Sequence, residues 1–264
     1  IMELKKKIVL AYSGGLDTSV ILKWLQENYN SEVICYTADI GQQIDRKKII
    51  KNAKKLGVKK IIIKNLKDTF VKNYVYPMIR GHAIYEGFYL LGTSIARPLI
   101  AKDQIRVAKK YKAYAVSHGS TGKGNDQLRF ELGYHYFGRK IKIIAPWRIW
   151  KLKSRTDLIN FAKKHQIPIP KDKKGAPPFS VDDNLFHTST EGKILENPKN
   201  SAPEFIFQRT ISPEKAPNKA TFVTINFNKS DPVGINGKKL SPFKLLEKLN
   251  QLAGKNGIGR VDLV

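Results

Sequence analysis

Ala11-Tyr12-Ser13-Gly14-Gly15-Leu16-Asp17-Thr18-Ser19 is the stretch of this chain best equipped to handle an anion. Gly14 and Gly15 have no Cβ, so the backbone can turn sharply there and come close to a ligand. Ser13, Thr18 and Ser19 add hydroxyl donors. Ile8, Val9, Leu10 and Ala11 precede the stretch as an apolar run that predicts a buried strand. Val20, Ile21, Trp24 and Leu25 follow at helical spacing. The loop therefore joins the end of a strand to the start of a helix. The first amides of a helix have no acceptor within it, and they favour an anion. The chemistry implied is a cradle for a phosphate or pyrophosphate; the plainer alternative is an ordinary glycine-containing turn. The spacing fits neither a Walker loop, which needs a Lys that this loop lacks, nor Gly-x-Gly-x-x-Gly.

A second polar constellation runs from His118 to Arg129. Gly119, Gly122 and Gly124 lie within six residues, and Thr121, Asn125, Asp126 and Arg129 offer donors and acceptors. Asn125 and Arg129 are four apart and share a helix face. An Arg suits a carboxylate and an Asp suits an ammonium, so the mixture suits a zwitterion; a flexible polar loop ahead of a helix is the bland alternative. Tyr85 to Ser94 is a third unusual stretch, in which Ser94 could cap a helix at 95–111. Phe179–Leu185 and His187–Gly192 read as polar loops. The five histidines, at 82, 118, 135, 165 and 187, show no metal-ligand spacing, and no metal site is expected among them. Cys35, the single cysteine, sits in the apolar run Val33-Ile34-Cys35-Tyr36 and reads as a buried, inert thiol compatible with a reducing cytoplasm.

The elements that must position these residues alternate. Strands are predicted at 7–12, 32–38, 59–63, 114–117 and 141–145, and helices at 18–29, 43–56, 66–79, 94–111, 125–136 and 151–164. Alternation at these lengths predicts an α/β fold, a parallel sheet with helices on both faces. Ligands of such sheets gather beyond the carboxyl ends of the strands, so the loops at 11–19, 38–42 and 117–126 should share one side. Prolines and charges at 167–178, ending Lys-Asp-Lys-Lys-Gly-Ala-Pro-Pro, mark a boundary. The expected division is 1–168 and 169–264. The second part reads as a smaller α+β domain, with a strand at 221–227, a hairpin turn at Asn236-Gly237 and a helix at 241–252. The chain closes on the apolar run Gly-Arg-Val-Asp-Leu-Val, from which it is expected to be incomplete at Val264.

The 264 residues carry 48 Lys and Arg against 22 Asp and Glu, a formal charge of +26. Such a balance raises nucleic acid as a partner. The lysines come in small scattered groups, however, with one stripe, Lys47, Lys51, Lys54 and Lys55, on a single helix face. That pattern is read as a solvated surface, so nucleic acid is not the expected partner. No stretch approaches the ~20 apolar residues of a membrane span.

Ser-Gly-Gly-Leu-Asp-Thr-Ser at 13–19 resembles the PP-loop of the ATP pyrophosphatases, which cut ATP between its α- and β-phosphates. Further stretches extend the likeness, in order, over nearly the whole chain: Thr37-Ala38-Asp39-Ile40-Gly41-Gln42, Tyr85 to Pro98, Gly119 to Glu131, Ala145-Pro146-Trp147-Arg148 and residues 180–196. Together they resemble the argininosuccinate synthases. The resemblance implies a PP-loop nucleotide-binding domain followed by a synthetase domain. It implies a ligase that joins L-citrulline and L-aspartate with ATP, giving argininosuccinate, AMP and pyrophosphate. ATP contacts would fall on Ala11, Tyr12, Ser13, Gly14, Gly15, Leu16, Asp17, Thr18, Ser19, Ala38 and Gly119. Aspartate would meet Thr121, Asn125 and Asp126. Citrulline would meet Tyr89, Ser94, Asn125, Arg129, Ser180 and Ser189. Mg²⁺ would accompany ATP, with Asp17 as an outer-shell partner; no general base is assigned. The resemblance also implies a homotetramer, and a family pattern that continues past Gly-Arg-Val-Asp-Leu-Val. The rivals are a PP-loop enzyme acting on tRNA and a non-catalytic nucleotide- or RNA-binding module.

Overall fold

The computed structural model describes residues 5–169 and 179–263. The predicted linker at 171–178 and Val264 lie outside the described residues. In chain order the elements begin β1 (Lys7–Ala11), α1 (Leu16–Asn28), β2 (Glu32–Asp39), α2 (Arg46–Lys55) and β3 (Lys60–Asn65). They continue with α3 (Lys67–Phe70), α4 (Tyr76–Arg80), α5 (Gly92–Lys110), β4 (Ala115–Ser117), α6 (Asn125–Phe137), β5 (Lys142–Ile144), α7 (Pro146–Ile149) and α8 (Arg155–Lys164). The last group is β6 (Ser180–Asp183), β7 (Thr188–Glu191), β8 (Ile225–Asn228), β9 (Asp231–Ile235), β10 (Lys238–Lys239) and α9 (Pro242–Lys255). The chain divides into two compact units. One holds Ile1–Asp39, Gln43–Asn65 and Ala96–Pro178; the other holds Ile40–Gln42, Leu66–Ile95 and Phe179–Val264.

The first unit is built on a five-stranded parallel sheet in the order β3-β2-β1-β4-β5. Its central strands are apolar without alternation because helices cover both faces: Ile8, Val9 and Leu10 are wholly buried, as are Ala115 and Val116. Val20, Ile21, Leu22 and Leu25 of α1 pack against this sheet together with Leu158 and Ala162 of α8. Strand order reverses between β1 and β4, and ligands of open α/β sheets bind beyond the carboxyl ends of the strands at such a switch point. The predicted strands and helices of this unit form within a few residues of their expected bounds. The helix expected at 151–164 starts later, at Arg155. Ser154 caps it, accepting from the Asp157 N–H at 3.1 Å while Asp157 accepts from the Ser154 N–H at 2.9 Å.

In the second unit, residues 67–80 are helical as expected but not one regular helix. A π-helical turn, Val71–Val75, separates α3 from α4, and the Tyr76 N–H reaches back five residues to the Val71 carbonyl. Pro77 has no N–H to continue the regular ladder, which accounts for the widened turn. Residues 180–191, read as loops from sequence, form the hairpin β6–β7 instead. Asn184 makes its turn: the side-chain oxygen accepts from the Phe186 and His187 N–H groups, each at 3.0 Å. The strand expected at 221–227 starts later, and its ladder with β9 runs over Ile225–Asn228. Asn236 pairs with Thr224 through both backbone and side chain, and that clasp closes the ladder. Asn236-Gly237 forms the expected β9–β10 turn, both residues having positive φ, 49° and 76°.

Candidate functional site

The loop after β1 is shaped by its neighbours. Thr37 of β2 donates its hydroxyl to the Tyr12 carbonyl, and the Tyr12 N–H donates to the Tyr36 carbonyl at 2.8 Å. Gly14 has φ +81°, a left-handed conformation that favours glycine. A Cβ built there would stand 2.9 Å from Ile49 Cγ1, so α2 also leaves no room for a side chain. Asn52 of α2 holds the Gly14 carbonyl at 3.2 Å. Gly15 is the N-cap of α1 and supplies no side-chain cap, so the leading amides of that helix point out beyond the sheet. The Ser13 hydroxyl accepts from the Gly15 N–H at 3.3 Å and lies 3.0 Å from the Thr18 hydroxyl.

Ser19 departs from its expected part as a hydroxyl donor to the cradle. Its side chain is buried, and its hydroxyl lies 3.1 Å from that of Tyr12, itself buried. These two side chains tie α1 to the loop from beneath. Leu16 is likewise buried, so Ser13, Asp17 and Thr18 are the polar side chains of this loop that stay accessible. Asp17, in the first turn of α1, has its carboxyl raised above the ordinary value by burial, opposed by the charge of Arg155.

The exit from β4 abuts this cradle. A Cβ on Gly119 would stand 3.0 Å from Thr18 Cγ2. Ala38, buried near the carboxyl end of β2, lies one strand over on the same edge. His118 is wholly buried and its ring stacks on Phe130, with centroids 5.4 Å apart. The Ser120 N–H donates to its Nδ1 at 3.2 Å, which leaves Nε2 to carry the proton of a neutral ring. Nε2 is 3.6 Å from Glu131 Oε1. Burial lowers the imidazole pKa and the Glu131 charge opposes that. The side chain anchors the loop rather than facing a ligand.

Beyond it, Thr121 and Asn125 are exposed, and α6 starts after Gly124 with no side-chain cap. Asp126 is not a solitary carboxylate. The Arg129 guanidinium donates to its Oδ1 at 2.8 Å, and Arg97 Nε donates to its Oδ2 at 2.7 Å. Arg97 was not singled out from the sequence. It lies on α5, 29 residues away, and only the tertiary fold brings it to this loop. Glu131 is similarly placed, accepting from Gln127 at 2.9 Å and from Arg148 at 3.3 Å.

The remaining sequence candidates belong to the second unit. Ser94 is not the expected cap: α5 starts two residues earlier, at Gly92, and the Ser94 hydroxyl is buried without a hydrogen-bond partner among the described residues. Tyr89 packs edge-on against His187, centroids 5.0 Å apart, and His187 sits where a Cβ on Gly92 would stand 2.3 Å from its own Cβ. Burial lowers the His187 pKa, against the charge of Asp182. Ser180 pairs with Glu191, and Ser189 with Asp182, so both serines lie on one face of the β6–β7 hairpin.

Two family models match the chain. The Arginosuccinate synthase N-terminal HUP domain covers residues 7–168, and the Arginosuccinate synthase C-terminal domain covers residues 179–264. The chain belongs to the argininosuccinate synthase family. It is 83% identical over 263 residues to the argininosuccinate synthase of Pelagibacter ubique, covering 100% of this chain and 67% of that protein. It is 62% identical to those of Parvibaculum lavamentivorans and Azorhizobium caulinodans, covering 98% of this chain in each case and 63% and 64% of theirs. The chain thus spans about two thirds of the length of these synthases. Among solved structures it is similar to the U34-tRNA thiolase NcsA of Methanococcus maripaludis, at 17% identity and a TM-score of 0.42, over 65% of this chain and 61% of that one. That likeness is too slight to argue from. No helix among the described residues is long and apolar enough to cross a membrane.

Proposed function

We propose that this chain carries the catalytic machinery of an argininosuccinate synthase, joining L-citrulline to L-aspartate as ATP is cleaved to AMP and pyrophosphate. The observation that carries the reading is the pair of abutting loops at the switch point of the sheet. One offers helix amides and hydroxyls suited to phosphates, and the other offers charged groups suited to amino acids. In the first displacement the citrulline ureido oxygen attacks the α-phosphorus, the bond to the bridging oxygen breaks, and pyrophosphate leaves. In the second the aspartate amine attacks the ureido carbon of the citrullyl-adenylate, AMP leaves with the former ureido oxygen, and the amine proton passes to solvent.

In this reading Ala11–Ser19 hold the pyrophosphate end through backbone amides and through the Ser13 and Thr18 hydroxyls. Ala38 and Gly119 flank the nucleotide. Thr121, Asn125 and Asp126 serve aspartate, while Asn125 and Arg129 serve citrulline. Tyr89, Ser94, Ser180 and Ser189 are assigned to citrulline on the family resemblance alone. The protein's contribution is positioning and the stabilisation of developing charge. Among the described residues no cluster of three or more His, Cys, Asp or Glu side chains is placed to hold a metal. Mg²⁺ fits instead as an ion carried by the triphosphate with most of its waters, near Asp17, where it would neutralise phosphate charge.

The tRNA rival is weaker here. A sulfur-transfer enzyme needs a reactive thiolate, and Cys35 is wholly buried, with its thiol pushed well up by desolvation. We also propose a division at 1–168 and 169–264, a cytoplasmic location and, on the resemblance, a homotetramer. Pyrophosphate release from ATP that depends on citrulline tests the function directly. Release without citrulline, or none with all three substrates present, would refute it.

A further inference from the structure

Asp126 lies between two guanidiniums, and the way its carboxylate is divided has a consequence for the substrates. Arg129 is three residues along the same helix, at a distance where an Arg and a carboxylate readily close into a two-bonded pair. Such a pair would satisfy both oxygens of Asp126 and turn the Arg129 fork inward. It does not form here, because Arg97 Nε takes Oδ2 from the facing helix α5 while Arg129 holds Oδ1. The three side chains together carry one net positive charge. They are only partly covered, at 21%, 24% and 30% exposure for Arg97, Asp126 and Arg129. Arg97 is itself fixed from the side, its guanidinium 5.8 Å from the centre of the Phe130 ring, which is buried.

We infer that Arg97 is a positioning residue of the amino-acid site, dividing the Asp126 carboxylate so that Arg129 stays open to a substrate carboxylate. The inference rests on the proposed function for the identity of the amino acids. Without Arg97, Asp126 closes on Arg129, and two substrate-facing charges neutralise each other. The loss therefore falls on citrulline and aspartate together, and not on the nucleotide. Lys at 97 keeps the charge and one donor for Oδ2, so it restores most of what an apolar side chain loses.

The test compares Arg97→Met and Arg97→Lys with the wild type by calorimetric titration of ATP, L-citrulline and L-aspartate, alongside steady-state pyrophosphate release. The expected result for Arg97→Met is a weakening of both amino acids by about ten- to a hundredfold, the size of one lost charge-assisted contact. ATP affinity should stay within about twofold, and Arg97→Lys should recover most of the loss. Unchanged amino-acid affinities in Arg97→Met would overturn the role of Arg97 and leave the proposed function standing. An equal fall in ATP affinity with a lowered melting temperature would also overturn it, marking Arg97 as structural only. If the wild type binds both amino acids but releases no pyrophosphate, the proposed function fails, and the titrations still decide the role of Arg97. Absence of amino-acid binding to the wild type would overturn both.

Discussion

Replacing Gly14 by Ala separates two costs that the structure places at one residue. The first is backbone strain: φ is +81°, and an L side chain in that region costs ~1–2 kcal/mol. The second is contact: the new Cβ would stand 2.9 Å from Ile49 Cγ1 and 3.4 Å from Ile49 Cα. Ile49 is buried on α2 and cannot simply move away. Overpacking of this kind costs a further ~1–3 kcal/mol, for a total of ~2–5 kcal/mol. Gly57 supplies the control. Its φ is +77°, but a Cβ there meets nothing within 4 Å, so Gly57→Ala isolates the strain. Urea denaturation of the two variants should therefore differ by ~1–3 kcal/mol, with Gly14→Ala the less stable. With a typical stability of ~5–15 kcal/mol, Gly14→Ala still folds. By calorimetry it should bind ATP at least about tenfold more weakly, since the amides proposed to hold the phosphates would be displaced. Gly57→Ala should bind ATP as the wild type does. Equal destabilisation of the two variants, with normal ATP affinity in Gly14→Ala, would refute both the contact argument and the assignment of this loop to phosphate.

Three further outcomes follow from the same geometry. Burial raises Asp17 above the ordinary carboxylate value, so the native state keeps this proton to higher pH than the unfolded chain does. Stability then falls as pH rises from the ordinary value through the raised one, and the cost stays constant above it. Asp17→Asn should accordingly be at least as stable as the wild type at neutral pH, with an advantage that shrinks on acidification towards about pH 4, read by urea denaturation; the same variant should bind Mg-ATP more weakly. Arg129→Lys loses the planar fork and should weaken citrulline by about tenfold or more while ATP binding survives, whereas Asp126→Ala should act mainly on aspartate, as kinetics varying each substrate in turn will show. Changing Lys47, Lys51, Lys54 and Lys55 together to Gln should leave all three substrate constants unaltered; tight tRNA binding at physiological salt, lost in that variant, would contradict the reading of this exposed face as solvated surface.

What was legible in the sequence was whatever local physics decides. The strand before the cradle announces itself as Ile8-Val9-Leu10, three residues buried from both faces, and the two glycines after it mark where the backbone must turn. The parallel sheet follows from the alternation of such runs with helices. What was not legible depends on partners distant in the chain. Ser19 has the residue type of a ligand donor, yet Tyr12, seven residues back, takes its hydroxyl inward. Thr221–Thr224 alternate as a strand should, but Asn236 ends the ladder one residue before β8 begins. Ser180–Asp183 and Thr188–Glu191 are too polar to read as strands alone; cross-strand pairing and the Asn184 turn make them one hairpin. Arg97 has no local signal, because its meaning comes from Asp126 on another helix.

The proposed reaction is defined by which bond of ATP is broken, and by which atom. Supplying citrulline labelled with ¹⁸O at its ureido oxygen, together with aspartate and Mg-ATP, tests this in one measurement. If the ureido oxygen attacks the α-phosphorus, the label must leave in AMP, with none in pyrophosphate or argininosuccinate. Unlabelled AMP would contradict the citrullyl-adenylate and with it the chemistry assigned to this site.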